Sequence, residues 1–199
     1  MYFWQCVGHI SSAHINPAVT IGESISGRIA PSAALLYIIC QCIGSIIGFG
    51  MLKVENKFLP LFYIFLITFC LFQMLTPDHL IFVEGETKNF CTTLLHPKIS
   101  VVQGLLCETI ATGILIFVIC AASDSRNAKN VDSLPIRLGL VVTLLCIIFA
   151  PYTGCSINPA RSLGPAIINN QWEHHWVYWL GPITGSVIAS LSYKTFYAE

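Results

Sequence analysis

The tetrapeptide Ile-Asn-Pro-Ala stands twice in this sequence of 199 residues, at residues 15–18 and again at residues 157–160. Asparagine is a preferred helix N-cap because its side-chain oxygen accepts a hydrogen bond from the first turn, and proline is favoured at the first helical position. Each copy therefore predicts the start of a helix, whose N-terminal end carries about half a positive charge. The chemistry that these residues offer is electrostatic: a positive helix end beside an amide that donates hydrogen bonds.

Both predicted helices are short. The first covers residues 16–25 and is followed by Ser-Gly-Arg, and the second covers residues 158–168 and is followed by Asn-Asn-Gln. Crossing a bilayer takes about 20 mostly apolar residues, so each segment is predicted to be a half-helix. Short, interrupted segments at matching places in two halves of a chain are typical of a site at mid-membrane between inverted repeats.

The composition indicates that lipid is the solvent of this chain. Hydrophobic residues make up 55% and charged residues only 10%, with a mean hydropathy of +0.71 and a net charge of zero, whereas soluble domains carry about 25% charged residues. The absence of a basic run excludes a nucleic-acid partner. The nine cysteines are scattered and form no Cys-x-x-Cys pair, so we predict buried thiols, without a metal site or cofactor.

Four segments are predicted to span the membrane, at residues 31–52, 101–122, 134–149 and 176–193. Basic residues favour the cytoplasmic side. Arg28 and the basic link between the second and third spans are therefore predicted to be cytoplasmic, and the acidic residues 76–89 to lie outside. In this topology the first half-helix enters from the cytoplasm and the second from outside, so the two copies oppose each other.

Three stretches carry a resemblance to a known family: GHISSAHINPAVTIG, YIICQCIGSIIG and APYTGCSINPARSLGPAIINNQWEHHWVYWLGPITGS. They resemble the aquaporin (major intrinsic protein) family over most of the chain. The resemblance implies an all-α integral membrane fold, an inverted repeat with two re-entrant half-helices, and a multi-pass protein of the plasma membrane. It further implies a homotetramer of full-length subunits, and a passive channel for water and small uncharged solutes that performs no catalysis.

By this resemblance the two caps meet at the pore centre, where the opposed helix ends repel cations and protons while the Asn amides orient passing water. The residues are Asn16, Pro17, Ala18, Asn158, Pro159 and Ala160.

The resemblance places Arg161, Cys146 and Cys155 at the outer constriction of the pore. A cation inside an apolar span indicates function; the alternative for Arg161 is a side chain that reaches a lipid headgroup. Cys146 replaces the histidine usual in water-selective members, which predicts a wider constriction, as in the entomoglyceroporin branch that also passes glycerol and urea. Cys155 corresponds to the family's mercury-reactive thiol.

Two further residues are predicted to support the re-entrant segments. Glu108 lies early in the second predicted span, and the resemblance implies that it accepts hydrogen bonds from the backbone of a re-entrant loop; the alternative is a glutamate at the membrane surface. His14 is predicted to form hydrogen bonds within the first loop, with a pH sensor as the less favoured alternative.

The chain also departs from the family pattern. The resemblance implies a single but partial domain over residues 1–199, without the first span and most of the second. Residues 54–73 have no family counterpart. They begin with Val, end with Gln and are rich in Phe, Leu and Ile, so their codons match an intron retained in frame; the alternative is a real extra helix.

These departures leave a second function open, a non-conducting isoform or gene-model fragment that associates with full-length subunits. An intramembrane enzyme is disfavoured, because the sequence lacks paired carboxylates and a His-x-x-x-His or Ser–His arrangement at membrane depth.

Overall fold

A computed structural model describes residues 14–54 and 91–197 of the chain. These residues form six α-helices and one 3-10 segment and contain no strand, which confirms the all-α prediction. The helices are α1 (Pro17–Ile25), α2 (Pro31–Val54), α3 (Val101–Ala122), α4 (Leu134–Thr153), α5 (Pro159–Asn169) and α6 (Val177–Phe196), with the 3-10 segment at Ser125–Ser133. Apart from Val54, the predicted insert lies outside the described residues.

Three of the described helices are long and apolar enough to cross a membrane: α2, α3 and α4. Most residues of α2 and α4 point away from the rest of the chain, and only 11% of each apolar window is buried, against 33% for α3. Leucine and isoleucine side chains such as Leu36, Ile43, Leu140 and Ile147 are about half exposed or more. Such a surface requires an apolar solvent.

The third predicted span extends four residues beyond its predicted end at residue 149. Pro151 lies in its last turn without ending it, and the helix stops at Gly154, whose φ of 73° is the left-handed conformation that terminates helices. The fourth predicted span forms α6, a helix of 20 residues that is not among the three most apolar helices. Its less apolar character has a structural cause, because its buried face consists largely of glycine, serine and alanine.

Small residues allow α3 and α6 to pack with their backbones in contact. A methyl group added at Gly185 would overlap the carbonyl oxygen of Thr109 and lie 2.9 Å from the backbone nitrogen of Gly113. A methyl group at Gly181 would lie 2.8 Å from the Cβ atom of Glu108. Close approach of this kind is how helices associate in lipid, where no hydrophobic effect drives them together.

The half-helices pack in a reciprocal pattern, α1 against α6 and α5 against α2. Each half-helix thus contacts the full helix that follows the other half-helix. Gly22 and Gly164, each six residues after its asparagine, make these contacts possible: an added methyl group would lie 2.9 Å from the Ser186 hydroxyl in one case and 2.5 Å from the Ser45 hydroxyl in the other. The matching contacts are those expected of two inverted repeats.

The inner link after α3 is tied to the end of α6. Asp124 accepts hydrogen bonds from the Arg126 guanidinium and from the Tyr193 hydroxyl at 2.8 Å. Arg126 also donates to the carbonyl oxygen of Tyr197 at 2.6 Å. The hydrogen bonds from Arg126 hold the pKa of the Asp124 carboxyl well below its usual range. The predicted cytoplasmic link is therefore anchored to the last helix.

We predict that Gly185→Ala destabilises the protein, because the added methyl group must push α3 and α6 apart. Overpacking of this kind costs about 1–3 kcal/mol. Thermal unfolding in detergent, followed by circular dichroism, measures the effect.

Gly48→Ala is the matched control, since nothing lies within 4 Å of a methyl group at that position in α2. It should unfold at or above the temperature of the unsubstituted chain, because alanine favours a helix over glycine by about 1 kcal/mol. Equal melting temperatures for Gly185→Ala and Gly48→Ala would contradict the close-packing account of α3 and α6.

Candidate functional site: the facing asparagine caps

Both asparagines lie at helix N-caps with extended backbone conformations. The Asn16 side-chain oxygen accepts a hydrogen bond from the backbone nitrogen of Ala18 at 2.9 Å. The Asn158 side-chain oxygen accepts from two nitrogens, those of Ala160 at 3.0 Å and Arg161 at 3.2 Å. The residue after each asparagine is the proline at the first helical position. Local sequence therefore positions both amides at the positive ends of their helices.

The two caps are joined by reciprocal hydrogen bonds across 141 and 143 residues of sequence. Asn16 Nδ2 donates to the carbonyl oxygen of Ile157 at 2.7 Å, and Asn158 Nδ2 donates to that of Ile15 at 3.0 Å. A side-chain amide carries two N–H hydrogens, and the cross-link uses one from each asparagine. The structure thus brings together six of the residues singled out in the sequence: both asparagines, both prolines and both alanines.

A second pair of reciprocal hydrogen bonds holds the first turn of each half-helix. Ser186 Oγ donates to the carbonyl oxygen of Ala18 at 2.6 Å, and Ser45 Oγ donates to that of Ala160 at 2.5 Å. Sequence analysis missed these serines as supports of the site. Their signal was present, since Gly-Ser-Ile-Ile and Gly-Ser-Val-Ile occur at equivalent places in α2 and α6.

Glu108 is buried, with 1% of its surface exposed, and both carboxylate oxygens accept hydrogen bonds. Oε1 accepts from the Thr153 hydroxyl at 2.6 Å and from the backbone nitrogen of Ser156 at 2.9 Å, and Oε2 accepts from that of Ile157 at 2.8 Å. A buried carboxylate is tolerated when donors of this kind surround it.

The segment that Glu108 holds has an unusual backbone. Cys155 and Ile157 both have a φ of 46°, although neither is glycine, and such conformations cost about 1–3 kcal/mol each. Tyr178, fully buried in α6, donates its hydroxyl to the carbonyl oxygen of Thr153 at 3.1 Å. Sequence analysis did not identify Thr153 or Tyr178, because their roles arise only from contacts between distant segments.

The first re-entrant segment is held by a glutamine of α2. Gln41 Nε2 donates to the carbonyl oxygen of His14 at 2.9 Å and to the hydroxyl of Thr20 at 2.9 Å. The His14 ring packs against Tyr37 with 5.6 Å between ring centroids. Its Nδ1 atom is buried without a hydrogen-bond partner among the described residues. His14 therefore contributes its carbonyl group to the support of this loop.

The C-terminal end of α1 carries a charged pair that sequence analysis also missed. Arg28 donates from Nε and Nη2 to the two carboxylate oxygens of Glu23, at 2.5 and 2.6 Å. Glu23 is 6% exposed, so its charge needs this partner. A carboxylate near a helix C-terminus is unfavourable, and Arg28 offsets it.

A cavity of about 630 Å³ lies against α2, the two residues before the first cap and the second cap, Asn158. Its walls are mainly apolar, and the polar groups reaching it come from both repeats. The polar lining residues are His14, Tyr37, Gln41, Ser45, Asn158 and Arg161. A mostly apolar cavity with a few convergent polar groups is the usual form of a small-molecule site.

Two cysteines from the predicted constriction share an apolar cluster next to the second cap. Cys155 is 2% exposed and belongs to a buried apolar cluster with Leu145 and Ile157, and Cys146 packs against this cluster. Arg161 is close enough to interact electrostatically with both thiols. Within residues 14–54 and 91–197, no three His, Cys, Asp or Glu side chains converge in a way that could hold a metal ion.

A family model described as Major intrinsic protein matches residues 1–193, nearly the whole chain. The chain belongs to the major intrinsic protein family. Its similarity to individual members agrees: it is 38% identical over 190 residues to aquaporin-4 of Bos taurus and 37% identical over 190 residues to aquaporin-4 of Homo sapiens. It is 36% identical over 189 residues to aquaporin-1 of Sus scrofa.

These matches cover 95–96% of this chain, 51% of each of the two aquaporin-4 chains and 60% of aquaporin-1. The chain therefore spans about half the length of the aquaporin-4 relatives. Among solved structures, the aquaglyceroporin from Plasmodium falciparum matches with a TM-score of 0.73 at 24% identity, over 95% of this chain and 74% of that one. Family and fold together confirm an aquaporin-like, multi-pass membrane protein.

We predict that Glu108→Gln destabilises the protein by about 3 kcal/mol, measured by thermal or denaturant unfolding in detergent. The variant loses the charge and turns an amide N–H₂ group toward one of the three donors, which leaves buried donors unpaired.

Glu173→Gln is the matched control, because Glu173 has an exposed side chain in the loop between α5 and α6, and it should change stability by less than about 0.5 kcal/mol. If both substitutions have equally small effects, the carboxylate is not needed to hold the re-entrant segment.

Proposed function

We propose that the protein is a passive channel through the plasma membrane for water and small uncharged solutes, and that it excludes protons and ions. The observation that supports this most strongly is the meeting of two half-helix N-termini through the amides of Asn16 and Asn158. Membership of the major intrinsic protein family agrees with such a channel. Conduction follows an osmotic or concentration gradient and requires no covalent chemistry. In this proposal full-length subunits form homotetramers with one pore in each.

The facing helix ends exclude cations by their charge. Each end carries about half a positive charge, which repels a unit cation about 4 Å away by about 2 kcal/mol at an effective dielectric constant of about 20. Two ends together cost a cation about 4 kcal/mol, which corresponds to about a thousandfold lower occupancy. An uncharged solute escapes this cost.

The amides of the two asparagines act on the permeating water. One hydrogen of each amide holds the opposite cap, and the second donates to a water molecule passing between α2 and the caps. Two donors pointing at one water orient both of its lone pairs toward them. The water then has no free lone pair to accept a proton from a neighbouring water. Water is therefore conducted and protons are not.

The constriction formed by Arg161, Cys146 and Cys155 sets the size limit. Arg161 donates hydrogen bonds to the solute and adds a full positive charge against cations. The Cys146 side chain is smaller and less polar than histidine, so the constriction admits glycerol and urea besides water. The aquaglyceroporin whose structure matches this chain has a comparable fold.

Cys146→His in the protein made from the complete transcript tests this selectivity. The larger ring narrows the constriction, and we expect the ratio of glycerol to water permeability to fall by about tenfold, since one steric group discriminates by about this much. Stopped-flow light scattering of proteoliposomes in water and glycerol gradients measures both rates.

Cys146→Ser is the control for that substitution, because serine keeps the side chain small, and it should leave the ratio unchanged. A histidine variant with the same ratio as the serine variant would remove Cys146 from the constriction.

Water flux also distinguishes the two functions that the sequence left open, a channel and a non-conducting isoform that associates with full-length subunits. Proteoliposomes holding the complete transcript product should shrink faster than empty ones after an osmotic step. The chain of 199 residues is reconstituted beside it. If this chain shows no flux and lowers the flux of the complete product when mixed with it, its function is association with full-length subunits. If the complete product conducts no water, the channel proposal is wrong.

Residues 54–73 are proposed to derive from a retained intron. Transcript reads across the codons of Lys53 and Met74 decide this: reads that join Lys53 directly to Met74 support the proposal, and reads that all keep the segment refute it.

A further inference from the structure

Cys146 and Cys155 are nine positions apart in sequence but meet at one apolar cluster near the end of α4. The helix ends at Thr153, and the left-handed Gly154 reverses the chain direction. The following residues then run back along the helix. Cys155, whose backbone nitrogen donates to the Thr153 hydroxyl at 3.1 Å, is placed against the apolar cluster on which Cys146 packs. Both cysteines are free thiols, and both contribute to this one apolar cluster.

The surroundings of the pair favour a ligand that needs two sulfur donors and no others. Ala111, Leu115 and Leu145 form the apolar floor of the cluster. Among the described residues, no third His, Cys, Asp or Glu side chain joins the two thiols in a group that could hold a metal ion. The described residues therefore do not supply the three or four such ligands that a zinc site uses. Two thiolates alone suit a soft, thiophilic centre of low coordination number.

We propose that Cys146 and Cys155 form a dithiol site that captures trivalent arsenicals of the type R–As=O at the outer end of the pore. The site's place in the pore rests on the proposed function, but its binding chemistry does not. Two As–S bonds form and the arsenic–oxygen bond breaks. The two thiol protons leave with that oxygen as one molecule of water, and arsenic stays trivalent, so no oxidant or reductant is required.

The two thiols have different parts in this reaction. Cys155 is 2% exposed, whereas Cys146 is only partly buried, so Cys146 forms the first bond and Cys155 closes the ring. The second bond forms within one molecule, which strengthens retention by about 10²–10⁴-fold over a single thiol. The other cysteine pair close in sequence, Cys40 and Cys42, is two residues apart on α2, and such positions do not share a helix face.

The bound arsenical lies near the second half-helix, because Cys155 is three residues before the N-cap Asn158 and Arg161 is in the first turn of that helix. The group R then occupies the constriction. In a conducting protein the adduct therefore blocks water flux, and removal of the arsenical restores it.

Phenylarsine oxide tests the site on the purified chain in detergent, with intact mass spectrometry as the readout. The unsubstituted chain should retain one phenylarsenic group after washing with 2-mercaptoethanol, a monothiol, and lose it to 2,3-dimercaptopropanol, a dithiol. Cys146→Ser and Cys155→Ser should each shorten the retention in monothiol by about a hundredfold. Cys107→Ser and Cys120→Ser are matched controls on α3 and should retain the group as the unsubstituted chain does.

Peptide mapping of the unsubstituted chain keeps the test independent of how the variants fold. After treatment with phenylarsine oxide, alkylation by iodoacetamide should spare Cys146 and Cys155 together and modify both once dimercaptopropanol is added. Protection of another pair, or full retention in Cys146→Ser, overturns the proposal.

Transport gives the separate readout. In proteoliposomes of the complete transcript product, phenylarsine oxide should abolish water flux and dimercaptopropanol should restore it. If the product conducts no water under any condition while its two thiols are still protected together, that result supports the dithiol site and refutes the channel function. Failure of one proposal is therefore distinguishable from failure of the other. Joint protection with unchanged water flux overturns the placement of the site in the pore.

Discussion

Re-entrant chain at membrane depth must satisfy every backbone N–H and C=O group without water, and the described structure is organised around that requirement. The four N–H groups of residues 155–158 all donate to side-chain oxygens, two to Glu108 and the others to the hydroxyls of Thr153 and Ser156. Asn16 supplies the donor for a carbonyl group of the same segment. Each backbone group without a hydrogen-bond partner would cost several kcal/mol in lipid. The buried polar residues therefore stabilise the loop conformation in which these groups are hydrogen-bonded.

The same requirement explains why the two repeats depend on each other. Each cap donates its amide to the carbonyl group before the other cap, and each full helix donates a serine hydroxyl to the first turn of the opposite half-helix. A displacement of either half-helix would leave donors and acceptors unpaired on both sides. The positions of Asn16 and Asn158 are therefore coupled, which keeps both positive helix ends directed at one place.

The two repeats differ around their asparagine caps. Asn158 caps two nitrogens, including that of Arg161, whereas Asn16 caps one. The second segment is also the one that bends back along α4 and brings Cys155 to Cys146. The second repeat thus carries Arg161 and the two cysteines close to its cap, whereas α1 of the first repeat ends at the ion pair of Glu23 and Arg28. The residues of the proposed constriction therefore all belong to the second repeat.

The sequence by itself determined the features that depend on local preferences. Asparagine followed by proline specifies a helix start, and a run of about 20 apolar residues specifies a span. The residues in and around the two motifs resemble the major intrinsic protein family. The helices and both half-helices of the described residues could be predicted on this basis, to within a few residues at their ends. The third span was predicted to end at residue 149 and instead ends at Thr153, where the left-handed Gly154 terminates the helix.

The partners of the polar groups were decided only by the tertiary structure. Glu108 could be selected as a buried carboxylate, but its donors Thr153, Ser156 and Ile157 lie 45 to 49 residues away. The reciprocal contacts of the asparagines and serines join residues 115 to 168 positions apart. No local pattern encodes such distances. These contacts depend instead on how closely the helices approach each other. Glycines packed against neighbouring residues set the approach of α3 to α6 and of each half-helix to its partner helix.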